Sequence, residues 1–232
     1  MIQIQGIHKK FGKLEVLKGV DFSLPEGGVF AILGPNGSGK TTLLKIILGM
    51  ILPDRGELYI DQQSVIRKWQ YRKQLAYLSQ IARFPENLTV KELIRMIADI
   101  RLTAGRSEAL IELFQLNKFL YKKLGELSGG TRQKVNLVLT FMFDTPIYIL
   151  DEPTAGLDPI ALIQLKELIA AEQKKGKLIL VTTHIMSLVE EIAEEIIFLL
   201  DGKIHFQGTV EHLKETTEMT NLEAAIAKLL ST

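Results

Sequence analysis

The 232-residue sequence contains no cysteine, which excludes disulfides, thiolate zinc sites and cysteine-ligated iron–sulfur clusters and fits a reducing compartment. Its four histidines, His8, His184, His205 and His212, fall at no metal-ligand spacing, and the six methionines are scattered. An excess of charge is missing too. With 28 Lys and Arg against 27 Asp and Glu, the net charge is +1 and the pI ≈ 7.9, so no nucleic-acid partner is expected. No apolar run approaches the ~20 residues that span a bilayer. The longest, near residues 43–52 and 135–143, are cut by Lys45, Gly49 and Asn136. Met1-Ile2-Gln3-Ile4-Gln5 shows no basic region followed by an apolar core, so no signal peptide is expected. Internal repeats and low-complexity segments are absent. Hydrophobic content of 47% and mean hydropathy of +0.16 suit either a parallel sheet covered on both faces or a membrane-docked surface. A chain of this length holds one large α/β domain, or a core with a subdomain.

What is present centres on Gly34-Pro35-Asn36-Gly37-Ser38-Gly39-Lys40-Thr41, which fits G-x-x-x-x-G-K-[ST], a loop that wraps nucleotide phosphates. The apolar run Val29-Phe30-Ala31-Ile32-Leu33 before it reads as a buried parallel strand. Residues 42–50 after it, rich in Leu and Ile, read as a buried helix. The glycines allow backbone conformations barred to other residues, so successive N–H groups can converge on an anion at the positive end of the helix dipole. Lys40 would neutralise the outer phosphates, and the Thr41 hydroxyl, with Thr42 beside it, stands where Mg2+ would be held. Mg2+ is the only metal expected, and the nucleotide is a nucleoside triphosphate.

Other residues gather around that loop when the chain is read in order. Val20, Phe22 and Leu24 alternate with Asp21 and Ser23 as in a half-buried strand, and Pro25-Glu26-Gly27-Gly28 turns into the next one. Phe11, in a basic neighbourhood, is either packing or a stacking surface for adenine. Leu75-Ala76-Tyr77-Leu78 is a strand emerging at Gln80, either a solvated loop residue or part of a site at the carboxyl end of a sheet. Residues 84–142 turn helical. Thr89-Val90-Lys91-Glu92 is a capping box, Ser107 is expected to cap a second helix, and the whole looks like a helical insertion. Ser128, Gly129 and Gly130 then stand at the start of another helix, as an ordinary cap or as a second anion site.

Ile147-Tyr148-Ile149-Leu150 is a buried strand ending in Asp151 and Glu152. Asp151 is placed to hold Mg2+ directly or through water, and Glu152 to take a proton from attacking water. A turn containing Asp158-Pro159 precedes a further helix. Residues 178–183 form another buried strand, reaching His184, which reads as structural by itself but joins a common crevice with Gln80, Asp151 and Glu152. Residues 196–200 and 203–207 form a hairpin across Asp201-Gly202, and the tail ends in a helix through Leu222, Ala225, Ile226 and Leu229.

These motifs, in this order, resemble the nucleotide-binding subunit of ABC transporters over essentially the whole chain: Phe11, the loop 34–41, Gln80, Leu127-Ser128-Gly129-Gly130, Asp151-Glu152, Asp158 and His184. Thr131 departs from the commonest form of the signature, which carries Gln there. The resemblance implies a P-loop NTPase with a RecA-like α/β core (1–83 and 144–212), an N-terminal antiparallel β subdomain, an inserted α-helical subdomain (84–143) and a C-terminal helix (213–232). It implies ATP and Mg2+ as cofactors, and hydrolysis coupled to transport. ATP would lie between the phosphate loop of one copy and Ser128, Gly129 and Gly130 of a second copy in a head-to-tail dimer. Gln80 would sense Mg2+ and water, His184 would contact the γ-phosphate, Asp158 would cross the interface, and Phe11 would stack on adenine.

The implied partner is an integral membrane permease, with the chain cytoplasmic and peripheral at the inner face of the membrane. The tail is similar to that of ABC-2 exporter ATPases, and the stretch Thr183-His184-Ile185-Met186-Ser187-Leu188 to the ATPase of nitrous oxide reductase copper-site maturation. A non-transport ABC ATPase of the cluster-assembly or cell-division type is the alternative. A chromosome-handling type is disfavoured by the short interval between Lys40 and Ser128, and a small-molecule P-loop kinase would not need the 127–130 signature.

Overall fold

Alternating apolar and polar residues open the chain as two long strands, β1 (Ile2–Phe11) and β2 (Leu14–Leu24), followed by β3 (Gly28–Leu33), which is buried throughout. In the computed structural model, which describes residues 1–81, 83–102 and 105–231, Val20, Phe22 and Leu24 all face inward as the alternation requires. β1 and β2 pair antiparallel and, with β4 (Arg55–Ile60) and β5 (Gln63–Ser64), make a four-stranded sheet in the order β2-β1-β4-β5.

The second sheet is built on β3 together with β6 (Leu75–Leu78), β7 (Ile147–Asp151), β8 (Leu178–Thr182), β9 (Glu195–Leu200) and β10 (Lys203–Gly208). Its order is β10-β9-β3-β8-β7-β6, parallel except for the β9–β10 hairpin. Asp201 and Gly202 both have positive φ, as a two-residue hairpin turn demands. Side chains of β3 alternate between layers. Phe30 and Ile32 point toward the four-stranded sheet and α1 (Lys40–Ile47), which lies in the same core, while Val29 and the inward residues Leu150, Ile179 and Val181 meet the helical side. A core phenylalanine such as Phe30 contributes about 3–5 kcal/mol against truncation to Ala.

The helical side carries α2 (Val90–Arg101), α3 (Ser107–Leu113), α4 (Gly129–Phe141) and α5 (Pro159–Lys174). The capping box at Thr89 forms in full: the Thr89 hydroxyl accepts from Glu92 N (3.2 Å), and Thr89 N donates to the Glu92 carboxylate (2.8 Å). Ser107 does not cap α3. It is the first helical residue, and Arg106 takes the cap position without a side-chain cap bond. Arg106 is used elsewhere. Its Nε donates to Phe141 O (2.9 Å), its N–H to Met142 O (2.8 Å), and its guanidinium pairs at 2.7 Å with Glu172, a carboxylate on α5 with no exposed surface. Gluing the end of α4 to α5 outweighs a hydroxyl cap on a seven-residue helix.

A third layer packs α6 (Met186–Ile192), α7 (Val210–Thr217) and α8 (Leu222–Ser231) on Ala31, Leu33, Ile196 and Phe198. The terminal helix through Leu222, Ala225 and Ile226 is as expected. The single C-terminal helix expected over 213–232 is two helices: α7 already starts at Val210 and is ended by Glu218 at φ 56, and α8 follows from Leu222, with Thr232 outside the described residues. Among the described residues no helix is long and apolar enough to cross a membrane.

Candidate functional site

Four parallel strands deliver the site residues to one edge of the sheet. β3 leads into the loop 34–41, β6 into Gln80, β7 into Asp151 and Glu152, and β8 into His184. In a parallel sheet, the carboxyl ends of neighbouring strands open onto one crevice. The loop is fixed from behind. A Cβ on Gly34 would sit 2.1 Å from Leu199 O, and Gly202 of the hairpin donates its N–H to Ser38 O (3.2 Å). Gly39 ends the loop at φ 110 and enters α1 with no side-chain cap, so the first N–H groups of that helix keep their capacity for an anion. Pro35, Asn36 and Gly37 are exposed, whereas Ser38 is buried with a hydroxyl that has no hydrogen-bond partner among the described residues.

Lys40 folds back over this loop and donates to the carbonyls of Gly34 (2.6 Å) and Pro35 (3.0 Å). Burial holds its ammonium below the usual lysine value, opposed by the negative charges of Glu152 and Asp151. Thr41 is exposed at the first turn of α1, with Thr42 half-buried after it.

The two acids differ in setting. Asp151 is buried and accepts a 2.5 Å hydrogen bond from the Thr182 hydroxyl. Tyr77 on β6 is pushed up to about 12, by burial first and then by the charge and hydrogen bond of Asp151. Glu152 is partly exposed, sits at φ 50 and places Oε2 3.0 Å from His184 Nδ1. Positive φ is sparsely populated by residues other than glycine, so Glu152 sits on strained backbone. No cluster of three or more His, Asp or Glu fit to hold a metal occurs among the described residues. The oxygen donors at this end of the sheet are hard ones, a carboxylate (Asp151), a hydroxyl (Thr41) and, exposed after β6 three strands from β3, an amide (Gln80), a kind of set that suits Mg2+.

The second helix start is differently made. Ser128 caps α4 by accepting from Thr131 N (3.3 Å), and its hydroxyl also bonds the Thr131 hydroxyl (2.9 Å). Ser128 and Gly129 are exposed, and Gly130 packs on Gly156, where a Cβ would meet the carbonyl oxygen at 2.4 Å. Asp158 caps α5 through Ala161 N (2.9 Å) and pairs with Lys134 of α4 (2.6 Å). Those bonds, Lys134's foremost, hold its carboxyl below the usual range. Phe11 is 48% exposed at the tip of the β1–β2 hairpin, with the Lys9 ammonium 5.4 Å from its ring centre.

Thus loop 34–41, Asp151, Glu152, His184 and Gln80 share one edge, whereas Ser128, Gly129, Gly130 and Asp158 form a second cluster. Sequence reasoning overlooked the residues that join the parts. Gln133 donates to Pro153 O (3.1 Å), Asn136 to Ser79 O (3.1 Å), and Lys134 and Thr182 hold the two aspartates. For Thr182 the contact depends on β8 lying beside β7, which no local pattern announces.

A parallel sheet with a glycine loop between β3 and α1 and an acid pair on β7 defines a P-loop NTPase, here with a helical layer carrying a second helix start. The model of the ABC transporter family matches residues 17–155, and the chain belongs to that family, as an ATP-binding subunit with ATPase activity. The lantibiotic transport ATP-binding protein SrtF of Streptococcus pyogenes is 29% identical over 98% of this chain and 99% of its own length. The Nod factor export ATP-binding protein I of Burkholderia pseudomallei (strain 1710b) is 32% identical over 92% of this chain and 72% of its own. Among solved structures, an ATP-binding subunit of an ABC transporter superposes with TM-score 0.92, at 29% identity and 99% coverage of both chains. A post-hydrolysis dimer of an ATP-binding cassette with ADP and Pi gives 0.82, at 26% identity over 90% of this chain and 98% of that one.

Proposed function

We propose that two copies of this chain close head to tail on two ATP molecules and drive a separate membrane permease in the outward direction. The observation that carries this reading is the pair of helix starts. One belongs to a crevice with its own acids, and the other, Ser128, Gly129 and Gly130, is exposed at Ser128 and Gly129 and has no catalytic group of its own. Each copy completes its partner's site with the second. The dimeric cassette with ADP and Pi supports this arrangement, as do the export and transport names of the relatives.

In this reading Gly34, Asn36, Gly37, Ser38 and Gly39 hold phosphates through backbone N–H groups, Pro35, which has no N–H, stiffens the loop between them, and Lys40 exchanges its carbonyl partners for phosphate oxygens. Phe11 stacks on adenine. Thr41, Gln80 and Asp151 hold Mg2+, with Thr42 lining the same turn; the ion, when bound, neutralises charge on the β- and γ-phosphates. Glu152 accepts a proton from the water whose oxygen attacks the γ-phosphorus, the bond to ADP breaks, and ADP and phosphate result. His184 holds Glu152 in place and reaches the γ-phosphate, and Asp158 meets the partner's phosphate loop. The helical region 84–143 passes closure to the permease, at a groove lined by Trp69, Ile100, Leu102 and Phe143, three of them exposed. Attachment there keeps the chain at the cytoplasmic face of the membrane.

Glu152→Gln tests the reading. Its turnover is expected to fall at least about 100-fold while ATP binding persists, so the variant should elute as a dimer with ATP and a monomer without it. Recovered with ATP from detergent-solubilised membranes, it should bring down a multi-span protein. Hydrolysis that persists in the variant sinks the role of Glu152. Soluble partners alone, on a folded nucleotide-bound bait, sink the permease.

A further inference from the structure

Asp151 and Glu152 are consecutive, yet they must face different tasks, and both are held by one residue of the neighbouring strand. Thr182 lies opposite Asp151 in the parallel register of β7 and β8. Its hydroxyl donates to Asp151 Oδ1 (2.5 Å), and its carbonyl accepts the Glu152 N–H (2.9 Å). Thr182 has no exposed surface and Asp151 only 5%, so no water competes for the first bond, and a hydrogen bond to a charged acceptor in such a place is among the strong ones. The second bond ties down the residue whose backbone is in the left-handed region. We infer that Thr182 is a positioning residue of the ATPase. It fixes which oxygen of Asp151 is left for the metal, and it fixes the left-handed turn on which Glu152 sits.

The chemistry favours a residue of this kind. Carboxylates that ligate a cation are commonly hydrogen-bonded by an outer-shell partner, which fixes their orientation. A threonine does this without adding charge, and its β-branched side chain has restricted χ1 freedom in a strand. The inference rests on Asp151 being the metal carboxylate, and the test separates the two claims.

Thr182→Val keeps shape and removes the donor, while Thr182→Ser keeps the donor and removes a methyl group. ATP affinity is measured by fluorescence in EDTA and across a Mg2+ titration, alongside turnover. For Thr182→Val, affinity in EDTA is expected to match the parent, while half-saturating Mg2+ rises about 10-fold and kcat falls about 10-fold, the scale of one hydrogen bond to a charged group. Thr182→Ser is expected to regain most of both. A Thr182→Val protein with the parent's Mg2+ titration overturns the inference. So does a Thr182→Ser protein as impaired as Thr182→Val, since volume and not the hydroxyl would then be the cause. Asp151→Asn is run in parallel. If it keeps the full gain of affinity on adding Mg2+, the metal assignment falls and the inference with it. If it loses that gain while Thr182→Val does not, Thr182 alone is excluded.

Discussion

The chain starts two helices with glycines, and it builds the two starts in opposite ways. At the head of α1, Gly34 lies against Leu199 O, Ser38 is pinned by Gly202, and Gly39 enters the helix without a side-chain cap. At the head of α4 a hydroxyl cap is in place and reinforced by Thr131, while a Cβ on Gly129 would meet nothing within 4 Å. The first loop is anchored to the core at its two ends, with its helix N–H groups kept available; the second is satisfied by its own chain and open to whatever approaches. A site that must be rigid before its ligand arrives belongs in the first setting, and a surface that completes another molecule's site belongs in the second.

Complementation probes this contrast with the largest effect. Lys40→Ala is expected to lose ATP binding and Ser128→Arg to hydrolyse poorly, each at least about 100-fold below the parent. Mixed, they should regain activity, because a Lys40→Ala copy still offers an intact Ser128 end. Normal activity from Ser128→Arg alone would mean that the two helix starts serve no common site. A smaller effect separates fold from function. Gly34→Ala is expected to cost about 2–3 kcal/mol in a urea melt, from strain and the clash with Leu199 O. Gly129→Ala should leave stability unchanged or raise it by up to about 1 kcal/mol, since Ala is the better helix former, and still lower turnover. Equal melting curves for the two variants would erase the distinction between anchored and open loops.

The smallest effect concerns Asp158, which Lys134 and the Ala161 N–H hold below its ordinary value of 3.8. A carboxyl depressed in the folded state adds stability above its unfolded pKa, and that stability is lost as pH falls through the folded one. Asp158→Asn keeps the helix cap and loses the ion pair. It should therefore cost under about 1 kcal/mol at neutral pH in low salt, and the difference from the parent should shrink in acid below about pH 4 and in high salt. A gap that persists in acid would trace to the cap instead.

Much of this was legible in the residues because it is local. Strand β3, the Thr89 capping box, the hairpin at Asp201-Gly202 and the acids after β7 each follow from a few neighbouring side chains. What escaped depends on partners far away in sequence. Ser107 has the chemistry of a cap, but Arg106 beside it serves Phe141, Met142 and Glu172, positions that no local pattern connects. α7 buries only Val210, Leu213 and Thr217, too sparse an apolar face to show that it starts at Val210 or that Glu218 at φ 56 parts it from α8. The role of Thr182 needs the register of β7 against β8, known only once the sheet is assembled.

Glu152 at φ 50 also bears on how this protein behaves under engineering. Left-handed backbone costs an L-residue such as glutamate roughly 1–2 kcal/mol, and asparagine, which tolerates that region better, is free of part of it. A Glu152→Asn protein would therefore survive heating slightly better than the parent while turning over almost no ATP. Any selection that ranks variants by heat tolerance alone will drift at this position toward well-behaved, inactive chains, and turnover has to be scored alongside it.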